Sequence, residues 1–230
     1  VAGYNLIQLL VGSEGTLAII TKIYLKLRIL PKYSIDLQVS FPEYEMALES
    51  LTAIHESRIN VAVAEFFDQF CLEAAGQYLK VKISKEYQAH VIFQVDGYKL
   101  SILEDQIKTI NKICLLNGAG NIAIARTDKQ KNKIWHIRKS ISESLRSISH
   151  KKISQDIVVP LHMIKPYLLT IRKIGLKIGL KILGYGHLGD GNIHVNILKL
   201  DSNLKDWEKQ SQLAIKQVFE TAVKMGGTIT

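Results

Sequence analysis

The segment Lys181-Ile-Leu-Gly-Tyr-Gly-His187-Leu-Gly-Asp190-Gly-Asn192-Ile-His194-Val-Asn196-Ile-Leu-Lys-Leu200 alternates apolar residues on both sides of a glycine-rich centre. Its Gly-Asp-Gly-Asn core can take positive φ and reverse the chain, which predicts a β-hairpin with one histidine on each arm. Two imidazoles held on a rigid turn meet at one spot and make half of a tetrahedral site for a zinc-like or iron-like ion. The plainer alternative is a tight hairpin whose histidines bond to backbone. Four glycines, one Asp, two Asn and two His within Gly184–Asn196 leave little side chain for packing, as a backbone pressed close to a ligand requires.

Outward from the hairpin the pattern alternates. A strand is expected at Ile153–Val159, a helix from about His162 to Gly179 and another at Asn203–Met225, and a last strand would follow Gly227. The earlier part repeats this order: strand Tyr33–Phe41, helix Pro42–Ser57, strand Ala62–Phe67, helix Asp68–Leu79, strand His90–Val95, helix Leu100–Leu116 and strand Ile122–Ala125, with a further helix at Asp128–Ser149. The expected fold is α+β, a duplicated ferredoxin-like (split βαβ) antiparallel sheet with helices on one face.

Pro31-Lys-Tyr33 breaks the pattern and divides the chain into residues 1–30 and 31–230. In the first part, Leu6–Leu10 and Leu17–Leu27 predict two strands around the turn Gly12-Ser13-Glu14-Gly15-Thr16. Glycines bracketing Ser and Glu let backbone N–H groups point outward as a small anion nest, although an ordinary turn fits the same residues. The chain opens on Val1 and stops just after Gly226-Gly227, so it is expected to be an internal piece of a longer protein, truncated at its end.

Composition bounds the function. A hydrophobic content of 47% over 230 residues suffices for a large core. No run approaches the roughly 18 apolar residues of a spanning helix, so membrane insertion is not expected. The net charge of +9 invites nucleic acid, but lysines such as Lys108, Lys112, Lys129, Lys133, Lys173 and Lys177 are scattered without arginine clusters or interleaved aromatics. A solvated basic face is the expectation. Cys71 and Cys114 form no paired motif, which suits a reducing compartment.

On the helix Asp128–Ser149, Trp135, Arg138 and Ser142 share one face. Arg138 could fork onto a carboxylate with Ser142 adding a hydroxyl, or lie on a solvated surface. Lys152, Ser154 and Asp156 fall on one side of their strand. Glu65, Asp68 and Asp96 stand near strand ends without a carboxylate pair at committed spacing, and no nucleophile elbow, phosphate loop or complete dinucleotide fingerprint occurs.

Three segments together, Gly12-Ser-Glu-Gly-Thr-Leu-Ala-Ile-Ile-Thr21, Trp135-His-Ile-Arg138 running on to Lys152-Ile-Ser-Gln-Asp-Ile-Val-Val-Pro160, and Gly186-His-Leu-Gly-Asp-Gly-Asn-Ile-His-Val-Asn196, resemble the FAD-linked oxidases of the vanillyl-alcohol oxidase type. The branch most similar contains glycolate oxidase flavoprotein subunits, D-lactate dehydrogenases and D-2-hydroxyglutarate dehydrogenases. The resemblance implies that residues 1–30 are the tail of an FAD-binding domain, with Gly12, Ser13, Gly15 and Ile20 near the flavin, and that 31–230 are the cap domain. It further implies that His187 and His194 hold a divalent metal (Zn, Fe or Mn), that Arg138 binds the substrate carboxylate with Ser142 a neighbouring substrate contact, and that Asn196 faces the substrate. The implied activity is oxidation of a D-2-hydroxy acid to the 2-oxo acid by hydride transfer to FAD. An electron acceptor or partner subunit would accompany it, in the cytoplasm or peripherally at the inner membrane, without nucleic acid.

This sequence departs from the family where a third metal ligand, a Glu in a Gly-Glu-His-Gly segment, would lie past Thr230. Ser154-Gln155 also stands where the hydroxyglutarate branch tends to carry a lysine, which tilts the expectation toward glycolate or D-lactate. Two other classes stay open: a non-catalytic ferredoxin-like module using a basic surface on RNA, and a metal-dependent hydrolase using the histidine pair without flavin.

Overall fold

In a computed structural model of the protein, residues 3–201 and 204–229 are described. The chain divides into two compact units, one ending at Leu30 and the other spanning Pro31–Ile229. In the first, α1 occupies Leu6–Leu10, where Asn5 accepts from the Gln8 N–H as a side-chain cap. The two strands expected there do not form, and 17–27 carries neither helix nor strand. A five-residue apolar run cannot tell helix from strand by periodicity, and a strand without a ladder partner has nothing to satisfy its backbone. The turn between them does take left-handed backbone, at Gly12, Glu14 and Gly15.

The second unit is built on one antiparallel sheet of eight strands: β1 (Tyr33–Phe41), β2 (Val63–Asp68), β3 (Ala89–Gly97), β4 (Asn121–Ala125), β5 (Lys151–Val158), β6 (Lys181–His187), β7 (Asn192–Lys199) and β8 (Thr228–Ile229). Their spatial order is β4-β1-β3-β2-β6-β7-β5-β8. Each half has the ferredoxin-like order, one reversed relative to the other, so the halves meet edge to edge through β2 and β6. That seam pairs Glu65 with His187 and Phe66 with Gly186.

The helices are α2 (Tyr44–Glu56), α3 (Gln69–Leu79), α4 (Leu100–Leu116), α5 (Asp128–Ile148), α6 (Ile164–Ile178) and α7 (Trp207–Lys224). Period-two alternation sorts the strand residues between two cores. Leu37, Val39, Phe66, Val91, Phe93, Ile157, Val195 and Ile197 turn to one face, under apolar residues of α2, α4, α6 and α7 such as Leu51, Ile107, Tyr167 and Val218. The expectation of helices on a single face describes these four. The other two cover the opposite face, where Cys71, Leu72 and Ala75 of α3 and Ile134, Ile141 and Leu145 of α5 pack on Phe67, Ile92, Leu183, Tyr185 and Leu198. This second layer spans only part of the sheet, and the uncovered remainder is polar.

α5 is placed by sequence-local and long-range devices together. Thr127 and Gln130 form a capping box at its start. One turn on, Trp135 donates its indole N–H to Asp36 on β1 at 2.7 Å, and Asp36, fully buried, also accepts from Gln94 on β3 at 2.7 Å.

Candidate functional site

The uncovered part of the α3/α5 face holds a cavity of about 440 Å³ lined by Glu65, Trp135, Arg138, Lys139, Ser142, Ser154, Asp156, Tyr185, His187 and His194. Strand register explains why these residues meet. Asp156 on β5, His194 on β7 and Tyr185 on β6 are directly paired across the sheet, and His187 lies two residues beyond Tyr185, opposite Glu65 on β2. All of them point to the same face by strand parity. Arg138 and Ser142, one turn apart on α5, lie over this row.

The turn geometry that makes the hairpin is strict. Gly191 has φ +82°, and a Cβ there would sit 2.2 Å from the Val159 carbonyl oxygen. Gly186, at φ +147°, has the Asn192 carbonyl 2.8 Å from where a Cβ would stand. No side chain fits either position, so the backbone flanking His187 is fixed by sterics.

The two imidazole rings lie 5.1 Å apart between centroids, edge to face. Each is held by its Nδ1: His187 against Glu65 Oε1, and His194 against Asp156 Oδ1 at 2.5 Å. Among the described residues neither Nε2 has a hydrogen-bond partner. A carboxylate on Nδ1 fixes the tautomer that leaves Nε2 with its lone pair, the arrangement found behind metal-binding histidines. The donor set therefore fits two ligands of a divalent cation. Among the described residues no group of three His, Cys, Asp or Glu side chains gathers to hold one.

Arg138 is 8% exposed and directs Nε (2.8 Å) and Nη2 (2.6 Å) at Glu65 Oε2, with its guanidinium stacked over the Tyr185 ring at 5.0 Å. One edge of the fork is engaged and Nη1 is left for another anion. Ser142 accepts from Lys152 Nζ at 3.0 Å, and Lys152 also bonds to the Ser142 carbonyl. Burial pushes the Tyr185 phenol above its ordinary value, and the Ser142 hydroxyl bonded to it opposes the shift. Burial, reinforced by Arg146, draws the Lys152 ammonium below its ordinary value.

Thus Arg138, Ser142, His187 and His194 come together in one cavity. Asn196 does not line it. Fully buried, it accepts from the Ser154 hydroxyl at 2.8 Å and donates to the His194 carbonyl at 3.0 Å. Gly12, Ser13, Gly15 and Ile20 lie in the other unit, where the Glu14 and Gly15 N–H groups have no partner among the described residues. Sequence reasoning passed over Lys139 and Tyr185 and noted Glu65 only as a carboxylate near a strand end, with no role. The signal available for Glu65 was an acidic residue inside the apolar strand Val63–Asp68, a charge that has to be paired wherever it is buried.

Residues 30–230 match the family described as FAD linked oxidases, C-terminal domain. The chain belongs to this family. Glycolate oxidase subunit GlcD of Bacillus subtilis is 31% identical over 230 residues, covering 100% of this chain and 48% of that protein. A D-lactate dehydrogenase of Archaeoglobus fulgidus is 29% identical over 232 residues, covering 100% of this chain and 49% of that protein. The chain thus spans about half the length of the curated relatives it matches. An alkyldihydroxyacetonephosphate synthase structure superposes with a TM-score of 0.63 at 18% identity over 100% of this chain and 46% of its own, and shares the fold of this FAD-linked oxidase domain. No helix among the described residues is long and apolar enough to cross a membrane.

Proposed function

We propose that this chain supplies the substrate side of an FAD-dependent dehydrogenase that oxidises a small D-2-hydroxy acid of the glycolate or D-lactate class. The observation that carries the reading is the convergence, in one cavity, of a guanidinium with an unengaged edge and two imidazoles with unengaged Nε2 atoms. A 2-hydroxy acid presents two matching features on adjacent carbons, a carboxylate and a hydroxyl. Arg138 binds the carboxylate through Nη1, with the Ser142 hydroxyl beside it and Lys139 adding positive charge at the rim. His187 and His194 hold a divalent cation. When bound, that cation supplies Lewis acidity at the hydroxyl, and FAD supplies the acceptor for the hydride leaving C2. Tyr185 walls the cavity beneath Arg138, and Asn196 sets the Ser154 hydroxyl from below. Gly12, Ser13, Gly15 and Ile20 approach the flavin, where the unpartnered N–H groups of Glu14 and Gly15 face an electron-rich edge. The family match and the D-lactate dehydrogenase and glycolate oxidase relatives support the reading.

The test uses the flavin-loaded protein. His187→Ala and His194→Ala should each lower divalent metal content and D-lactate or glycolate turnover, and Arg138→Lys should raise KM by replacing a fork with a point charge. Full metal content and turnover in both histidine variants would refute the metal assignment.

A further inference from the structure

Glu65 touches both halves of the proposed site. It sits on β2 between buried Ala64 and Phe66, with its own side chain 4% exposed, so its backbone has little freedom. One oxygen meets His187 Nδ1 and the other takes Nε and Nη2 of Arg138. His187 needs such a tether because its side chain is 48% exposed. Its ring also meets the His194 ring in an edge-to-face arrangement. Arg138 in turn is held in place by Glu65 and the Tyr185 face. A carboxylate shared in this way cannot turn toward one partner without releasing the other.

We propose that Glu65 is the positioning residue of the site, locking the cation-binding His187 and the carboxylate-binding Arg138 in one fixed relation to each other. The inference rests on the functional reading above. Its chemistry is a matter of hydrogen-bond direction. As a double acceptor, Glu65 takes the Nδ1–H of His187 and leaves the lone pair on Nε2. A glutamine could still accept from Arg138 but would present an N–H to Nδ1, moving the imidazole proton to Nε2 and removing the lone pair a cation needs. An aspartate keeps both acceptor oxygens one methylene short.

In the flavin-loaded protein, Glu65→Gln should lower Mn²⁺ affinity, measured by chelator competition, by ~10–100-fold, the usual effect of losing a carboxylate behind a metal-binding histidine. The same substitution should raise KM for D-lactate, and Glu65→Asp should recover part of both losses while flavin content stays full. Loss of metal affinity with KM unchanged, or neither changed, would overturn the coupling. If Glu65→Gln does not fold, Glu65→Asp decides, and unchanged metal affinity and KM in it overturn the proposal. His187→Ala and Arg138→Lys run alongside separate the two levels. If they lose metal binding and substrate affinity while Glu65→Gln loses neither, the site reading stands and the positioning role falls. If they lose nothing, the site reading itself falls.

Discussion

Asp36 is the anchor that fixes how far α5 stands from the sheet, and Asp36→Ala should therefore be one of the most damaging single changes away from the cavity. The carboxylate is fully buried and accepts two hydrogen bonds, from Trp135 Nε1 and from Gln94 Nε2, both at 2.7 Å. Hydrogen bonds to a charged group contribute about 1.5–3 kcal/mol each, so losing both costs roughly 3–6 kcal/mol. In a domain of this size that corresponds to a fall in Tm of at least about 6 °C. Asp36→Asn should fall between, because its oxygen can still accept from one donor while its amide N–H opposes the other. Urea unfolding followed by circular dichroism measures the change, with an unaltered m-value marking a true stability effect. A loss under about 1 kcal/mol for Asp36→Ala would refute the argument that this carboxylate holds α5, since it would match an ordinary exposed hydrogen bond.

Three further outcomes follow from the same geometry. Gln69 donates its amide N–H groups to Glu73 and to the Ser84 carbonyl, so its oxygen faces His90 Nε2–H and leaves Nδ1 to accept from Ser40. His90 is thus held neutral, and burial draws it from 6.5 down to about 4. Because the folded value lies below the unfolded one, its stabilisation is whole above pH 6.5 and is lost as pH falls through the window to about 4. The loss is on the order of 3 kcal/mol and should be missing from the pH profile of His90→Gln in denaturant titrations. Gly191→Ala should destabilise by about 2 kcal/mol or more, from its positive φ and the clash with Val159, and should do so in thermal melts even before metal or substrate is added. Burial, with Asp68 adjacent, pushes the Cys71 thiol well up, and burial alone pushes Cys114 up to about 12, so neither should react with Ellman's reagent at pH 8 until the protein is unfolded.

Much of this architecture was legible in one dimension. The strand Tyr33–Phe41 and the helix Leu100–Leu116 have the bounds that their alternation and apolar stripe predict, since each is long, strongly periodic and closed by Pro or Gly. The approach of His187 to His194 was legible too, because a tight glycine turn brings nearby residues together without any help from the rest of the chain. What could not be read was everything that depends on non-local register. Glu65 lies 122 residues before His187, and only the β2–β6 seam makes them neighbours. Helices α3 and α5 go to the second face because their strands offer Phe67, Ile92 and Leu183 there, a choice that a stripe on an isolated helix does not reveal. In the first unit, Leu6–Leu10 is too short for its period to be decided.

The seam has one more consequence. Strands β2 and β6 would each be the bare rim of a half-sheet, a row of unsatisfied N–H and C=O groups open to any passing chain. Here each rim is the other's cover, over two residue pairs. Cutting the chain between Ala125 and Lys151 would expose both rims at once, leave Glu65 on one piece and His187 on the other, and turn a protected junction into two aggregation-prone borders. The cover of both rims and the meeting of Glu65 with His187 thus depend on the same two rungs of backbone.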